Sequence, residues 1–205
     1  MNLINLFFHI FLTLLIITDP LGNTPTFLVL TKDFGEQERR RIITKASLVA
    51  AGILIFMAIL GKYILNFFNL NLATLQIAGG LLLMAIAFEM VLGIPKIKIA
   101  EGKAEINSLA VAPMGTPLIA GPGAITAVLI FMSQSQEIGE KFIVVLGIVF
   151  TIFILWAILS NCGLVLKIIK KDGAAALKKI MGLILATIAV GMVSQGIKGV
   201  FLIYF

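Results

Sequence analysis

The chain has 205 residues, of which 60% are hydrophobic and 13% charged, with a mean hydropathy of +1.12. Ten acidic and 16 basic residues cannot cover a soluble fold of this size, so an ordinary soluble domain is excluded. A net charge of +6 spread over short connections between apolar runs reads as membrane topology, not nucleic-acid binding, and 22.1 kDa leaves no room for a second, soluble domain.

Six apolar segments follow one another: Leu3–Leu30, Ile42–Leu65, Leu72–Ile94, Leu109–Met132, Phe142–Leu166 and Ile180–Phe205. Each reaches the ~20 residues that a helix needs to cross a bilayer. They are apolar on every face, without the ten-residue alternation of a barrel. The expected fold is therefore an all-α membrane protein with six transmembrane helices, forming one transmembrane domain over residues 1–205. Residues 1–19 lack a basic n-region and a small-x-small site, so they read as a retained span. Cys162 is the single cysteine and cannot form an internal disulfide.

The first span is interrupted by Thr18-Asp19-Pro20-Leu21-Gly22-Asn23-Thr24-Pro25. Pro20, Pro25 and Gly22 disfavour a continuous helix, because proline lacks the amide donor and clashes with the preceding turn. Two half-helices around an unwound stretch are expected there. Asp19 is the acid nearest the centre of a span, where an ionisable group usually marks a substrate or ion path. An N-cap for the half-helix begun by Pro20 is the blander role, and the two are compatible. Asn23 and Thr24 add neutral hydrogen-bonding groups at the same depth. His9 sits nearer the end of this span and reads as interfacial.

The connection after the first span carries Lys32, Arg39, Arg40, Arg41 and Lys45. In the third span Glu89 is a second candidate for ion coupling, although a structural acid near a helix end is at least as good a reading. Lys96, Lys98 and Lys103 follow it. The fourth span repeats the interruption with Pro113, Gly115, Pro117, Gly121, Pro122 and Gly123, and Ala124 and Thr126 lie just beyond. Lys167, Lys170, Lys171, Lys178 and Lys179 separate the fifth span from the sixth. Only Lys62, Lys141 and Lys198 fall toward the opposite face. The positive-inside rule then places the basic connections in the cytoplasm and both termini outside. Gly79, Gly80, Gly182, Gly191, Gly196 and Gly199 are expected to permit close helix packing.

An offset of 102 residues aligns the two halves without a gap: Pro20 with Pro122, Thr24 with Thr126, Glu38 with Glu140, Gly61 with Gly163. The window Leu75–Val91 shares eight identities with Leu177–Val193, among them Gly80/Gly182, Ala87/Ala189 and Val91/Val193. Halves of about 1–94 and 103–205 with three spans each must lie upside down relative to one another. This predicts an inverted 3+3 repeat in which 1–94 superposes on 103–196, with spans 1 and 4 broken at equivalent positions, an architecture of secondary transporters. Unwound backbone at membrane depth is tolerated only in protein or beside a cavity, so the paired breaks point to a binding site. Amides at the start of each second half-helix suit a carboxylate, and carbonyls or a carboxylate nearby suit an ammonium. The candidate substrate-binding set is Asp19, Gly22, Asn23, Thr24, Gly121, Gly123, Ala124 and Thr126, and a small zwitterion fits it.

The stretches Asp19–Pro25 and Pro117–Ile125 resemble the two signature segments of the MarC/SnatA family of six-span membrane proteins, and the resemblance covers the whole chain with Arg39–Arg41. It implies transport of glycine, alanine and other small neutral amino acids, driven by an ion gradient, protons in preference to sodium. The alternative is an uncoupled channel, facilitator or exporter for a small polar solute. One His, one Cys and the span acids Asp19 and Glu89 leave too few groups for a metal site or a nucleophilic dyad. No enzyme activity, cofactor or metal is expected. No G-x-x-x-x-G-K-[ST] loop occurs, so a primary pump is not expected either. The expected partners are the substrate, a coupling ion and the lipid bilayer of the cell membrane.

Overall fold

The computed structural model describes residues 2–93 and 119–204. Among these residues the chain forms seven helices and no strand: α1 (Leu3–Thr18), α2 (Pro20–Leu30), α3 (Glu36–Phe67), α4 (Leu72–Leu92), α5 (Pro122–Gln134), α6 (Ile138–Ser160) and α7 (Cys162–Tyr204). Five stretches are long and apolar enough to cross a membrane: Leu3–Leu30 across the α1–α2 junction, α3, α4, α6, and Asp172–Phe201 within α7. Their outward faces carry exposed Leu48, Phe56, Phe153 and Leu183, as hydrocarbon surroundings require. The shorter α5 has 13 residues, about 20 Å, less than a full span. The earlier part of the expected fourth span, with Pro113, Gly115 and Pro117, lies outside the described residues.

Two boundaries differ from the sequence expectation. The fifth span ends at Ser160 instead of Leu166, and the lysine-rich segment 167–179 is helical, where a connection was expected. Ala174–Ala176 and the lysines are strong helix formers and no proline intervenes. The change of direction is confined to Lys170, whose backbone is at φ 59°, ψ 167°.

α4 and α7 share the most extensive interface. A Cβ on Gly80 would lie 2.6 Å from Val193 Cγ2 and 2.8 Å from the Ala189 carbonyl oxygen. A Cβ on Gly182 would lie 2.8 Å from Met90 Cβ, 3.0 Å from Val91 Cγ2 and 3.2 Å from the Ala87 carbonyl oxygen. The 102-residue offset converts Gly80, Ala189 and Val193 into Gly182, Ala87 and Val91. The same exchange relates other pairs: α2 packs on α7 and α6, whereas α5 packs on α4 and α3. Glu38 and Glu140 also match in role. The Glu38 carboxylate accepts from Gly35 N at 2.9 Å, and that of Glu140 from Gln136 N at 2.9 Å, each closing the start of a helix.

Backbone this close to a neighbour leaves no room for a methyl group. Gly80→Ala and Gly182→Ala are each expected to destabilise the protein by about 1–3 kcal/mol through overpacking. Gly52→Ala, where nothing lies within 4 Å of the new Cβ, should be neutral or slightly stabilising. Thermal unfolding of the three variants in one detergent checks this. Equal midpoints would contradict the seam.

Not every glycine expected to pack does so. A Cβ on Gly196 would lie 2.6 Å from the Ala73 carbonyl oxygen and one on Gly199 2.9 Å from Ala73 Cβ, but nothing lies within 4 Å of a Cβ on Gly191, which faces a cavity.

Candidate functional site: the Asp19 junction and the vestibule above it

α1 and α2 meet at a single residue. Asp19 takes the left-handed conformation, φ 42°, ψ 62°, which aspartate tolerates better than most side chains. It ends α1 with its amide on the Leu15 carbonyl at 3.0 Å and begins α2 with Oδ1 accepting from Gly22 N at 3.0 Å. Pro20 occupies the first turn of α2, where its missing N–H is no loss. The expected unwound stretch is therefore narrower than the sequence suggested: Pro25 lies inside α2. At 1.5 Å per residue Asp19 lies about 24 Å from the start of α1 and about 16 Å before the end of α2, in the interior of the apolar stretch Leu3–Leu30. It is 3% exposed.

The neighbouring polar groups are engaged with the junction itself. Asn23 Nδ2 donates to the Thr18 carbonyl at 2.8 Å, tying α2 back to the end of α1. Asn23 N donates to the Asp19 carbonyl at 3.0 Å. Thr24 Oγ1 donates to the Pro20 carbonyl at 2.9 Å, and Thr126 Oγ1 to the Pro122 carbonyl at the same distance. Gly22, Asn23, Thr24 and Thr126 are all buried.

The start of α5 differs in one respect. Gly121 stands where the first half has Asp19, so no side chain caps the helix. Ile125 N donates to the Gly121 carbonyl at 3.1 Å. Gly123 N and Ala124 N, both buried, find no acceptor among the described residues. A helix start of this kind attracts an anion. Gly123 lies beside the junction: a Cβ there would be 2.5 Å from Leu83 Cδ2, 3.2 Å from Ile86 Cδ1 and 3.4 Å from Ile17 Cγ2, with Ile17 only two residues before Asp19. The expected gap over Gly123 is thus filled in this state by three side-chain ends. Glu89 is half-buried near the end of α4, where its carbonyl accepts from Gly93 N at 3.0 Å, and its side chain makes no hydrogen bond or ion pair among the described residues.

A cavity of about 230 Å³ opens at the end of the bundle where α1 and α4 begin and α5 and α7 finish. Its polar lining is His9, Thr13, Gln76, Gln134 and Gln195, with Phe131, Met192 and Gly191 among the apolar walls. His9 stacks edge-on against Phe131 at 5.4 Å. Thr13 and Ala127 at its floor lie one helical turn, about 5.4 Å, from Ile17 and Gly123. No local signal marks this vestibule. Its three glutamines are scattered over three helices, and by sequence alone His9 reads as interfacial and Gly191 as a packing glycine.

Residues 4–201 match the family described as MarC family integral membrane protein. The chain belongs to the MarC family. It is 40% identical over 190 residues to a UPF0056 membrane protein of Methanocaldococcus jannaschii, covering 91% of this chain and 93% of the relative. The Bacillus subtilis UPF0056 membrane protein YvbG is 32% identical over 202 residues, 94% of each chain. An Archaeoglobus fulgidus UPF0056 membrane protein is 36% identical over 200 residues, 95% of this chain and 93% of the relative. No solved structure matches. As a MarC-family member with several apolar helices, the chain is an integral, multi-pass membrane protein.

Proposed function

We propose that this MarC-family chain is a secondary active transporter of small neutral amino acids of the glycine and alanine class, coupled to an ion gradient, protons in preference to sodium. The observation that carries the reading is a buried carboxylate, Asp19, at a helix junction whose Ile17, two residues before it, packs against the start of α5, where the buried amides of Gly123 and Ala124 are uncapped. An α-amino acid carries its carboxylate and its ammonium on the same carbon atom. The α5 amides suit its carboxylate, and Asp19 lies on the neighbouring element to attract its ammonium. Because α2 is already capped by Asp19, the two helix starts are not equivalent, which favours one orientation of the zwitterion. The packing of α4 on α7, and of α2 on α7 and α6 matched by that of α5 on α4 and α3, supports an inverted repeat of residues about 1–94 and 103–205 within one transmembrane domain. In this reading both termini lie outside the cell membrane, no enzymatic step occurs, and Glu89 is the second candidate for ion coupling.

The test is uptake of radiolabelled glycine into proteoliposomes under an imposed proton or sodium gradient. Accumulation above the outside concentration under an inward proton gradient is expected. Equilibration without accumulation under either gradient would leave an uncoupled facilitator instead, and no glycine-dependent flux would remove the proposal.

A further inference from the structure

We infer that the vestibule lined by Thr13, Gln76, Gln134, Gln195 and His9 is a second binding site for an uncharged or zwitterionic solute, where it is held before reaching the Asp19 junction, with Gln76 as the residue that selects against net charge. The inference rests on the transport reading above and adds a site that reading does not use. Thr13 and Gln76 are each 7% exposed and line the cavity, and their side chains make no hydrogen bond to any described residue. A buried carboxamide without a protein partner is costly in apolar surroundings, about 1–3 kcal/mol, unless a solute or water completes it. His9, Gln134 and Gln195 are exposed at the rim, so the polar groups form a path from the surface to the buried pair.

The chemistry of the lining decides what fits. Among the described residues the lining holds no carboxylate, lysine or arginine, and His9 at the rim is its one ionisable side chain, so a solute with net charge would shed water and meet no counterion in the buried part. A carboxamide offers both an acceptor and two donors, so Gln76 can serve a carboxylate with its NH₂ or an ammonium with its oxygen. The volume of about 230 Å³ lies below the range of sites for drug-sized ligands, about 300–1,000 Å³, and suits a small solute. Gly191 keeps the wall open, since nothing occupies the space of its missing Cβ.

The rim offers a direct readout, because Cys162 is the single native cysteine and is buried. A Cys162→Ala, Gln134→Cys protein in lipid nanodiscs, with both faces reachable, is labelled with a maleimide in the presence and absence of glycine. At about ten times the dissociation constant roughly a tenth of sites stay empty, so labelling should slow about tenfold. Adding Asp19→Asn should leave that protection in place, whereas adding Gln76→Leu should remove it. Gln76→Glu, close in shape, should transfer protection from glycine to the cation glycinamide, a result that misfolding cannot produce. Equilibrium binding of radiolabelled glycine to the same preparations separates the two proposals. Glycine binding with no protection, or protection that survives Gln76→Leu or is lost with Asp19→Asn, overturns the vestibule site alone. No binding of glycine at all overturns the transport reading and the vestibule with it.

Discussion

Replacing Asp19 by Asn is expected to abolish gradient-driven accumulation of glycine while leaving the α1–α2 junction intact. Asparagine tolerates the left-handed backbone that residue 19 adopts, and its Oδ1 can accept from Gly22 N as the carboxylate does at 3.0 Å. Asn and Asp are nearly equal as helix caps, so folding stability should change by no more than about 0.5 kcal/mol. What disappears is the charge and the capacity to take up a proton. Exchange of labelled for unlabelled glycine, which needs binding without net coupling, should persist. Asp19→Ala removes the cap as well, at a further cost of about 1 kcal/mol, and places a β-carbon in the left-handed region without local compensation. Accumulation measured beside thermal unfolding for both variants separates charge from cap. Normal accumulation by Asp19→Asn at normal expression would reduce the carboxylate to a helix cap.

Gly22→Ala is expected to be nearly as damaging as loss of Asp19, although it adds one methyl group. A Cβ on Gly22 would meet Asp19 Oδ2, with Asp19 Cγ at 2.7 Å and Oδ1 at 2.8 Å. The carboxylate must swing out of its position, giving up the cap and carrying the charge away from the junction, at a cost of about 1–2 kcal/mol. The second half already carries a methyl at the corresponding place, Ala124, because Gly121 has no side chain for it to strike. The double substitution Asp19→Gly with Gly22→Ala rebuilds the Gly121–Ala124 pairing and should recover part of the stability lost by Gly22→Ala alone. It should not recover accumulation. Additive losses in the double variant would show that the two side chains do not share the space.

The Asp19–Pro20 junction was legible because a capping acid followed by proline at the first helical position is a local signal. Its width was not. Pro25 disfavours a helix by about 3 kcal/mol in an isolated peptide, but unwinding the surrounding residues in hydrocarbon would leave several backbone groups unpaired at several kcal/mol each. The helix therefore continues through it. The repeated Glu38 and Glu140 were visible as a match between halves, and only the hydrogen bonds identify them as helix caps. The lysines of segment 167–179 suggested a connection by their charge, while their helix propensity carried the chain through with one break at Lys170. Gln76, Gln134 and Gln195 were beyond local reading, because what makes them a site is convergence from α4, α5 and α7. The amides of Gly123 and Ala124 were anticipated as anion donors, but the matching amide of Gly22 is already taken by Asp19.

The glycine seam between α4 and α7 has a consequence for motion. Where a carbonyl oxygen and a β-carbon stand this near a backbone with no side chain, neither helix can slide a turn past the other without collision. The two helices move as one block. Any rearrangement that opens first one face of the bundle and then the other has to be taken up by the elements around that block. Asp19, where the chain leaves the helical path between α1 and α2, and Gly121, extended at the start of α5, are positions where such bending would break no helical hydrogen-bond ladder of α2 or α5.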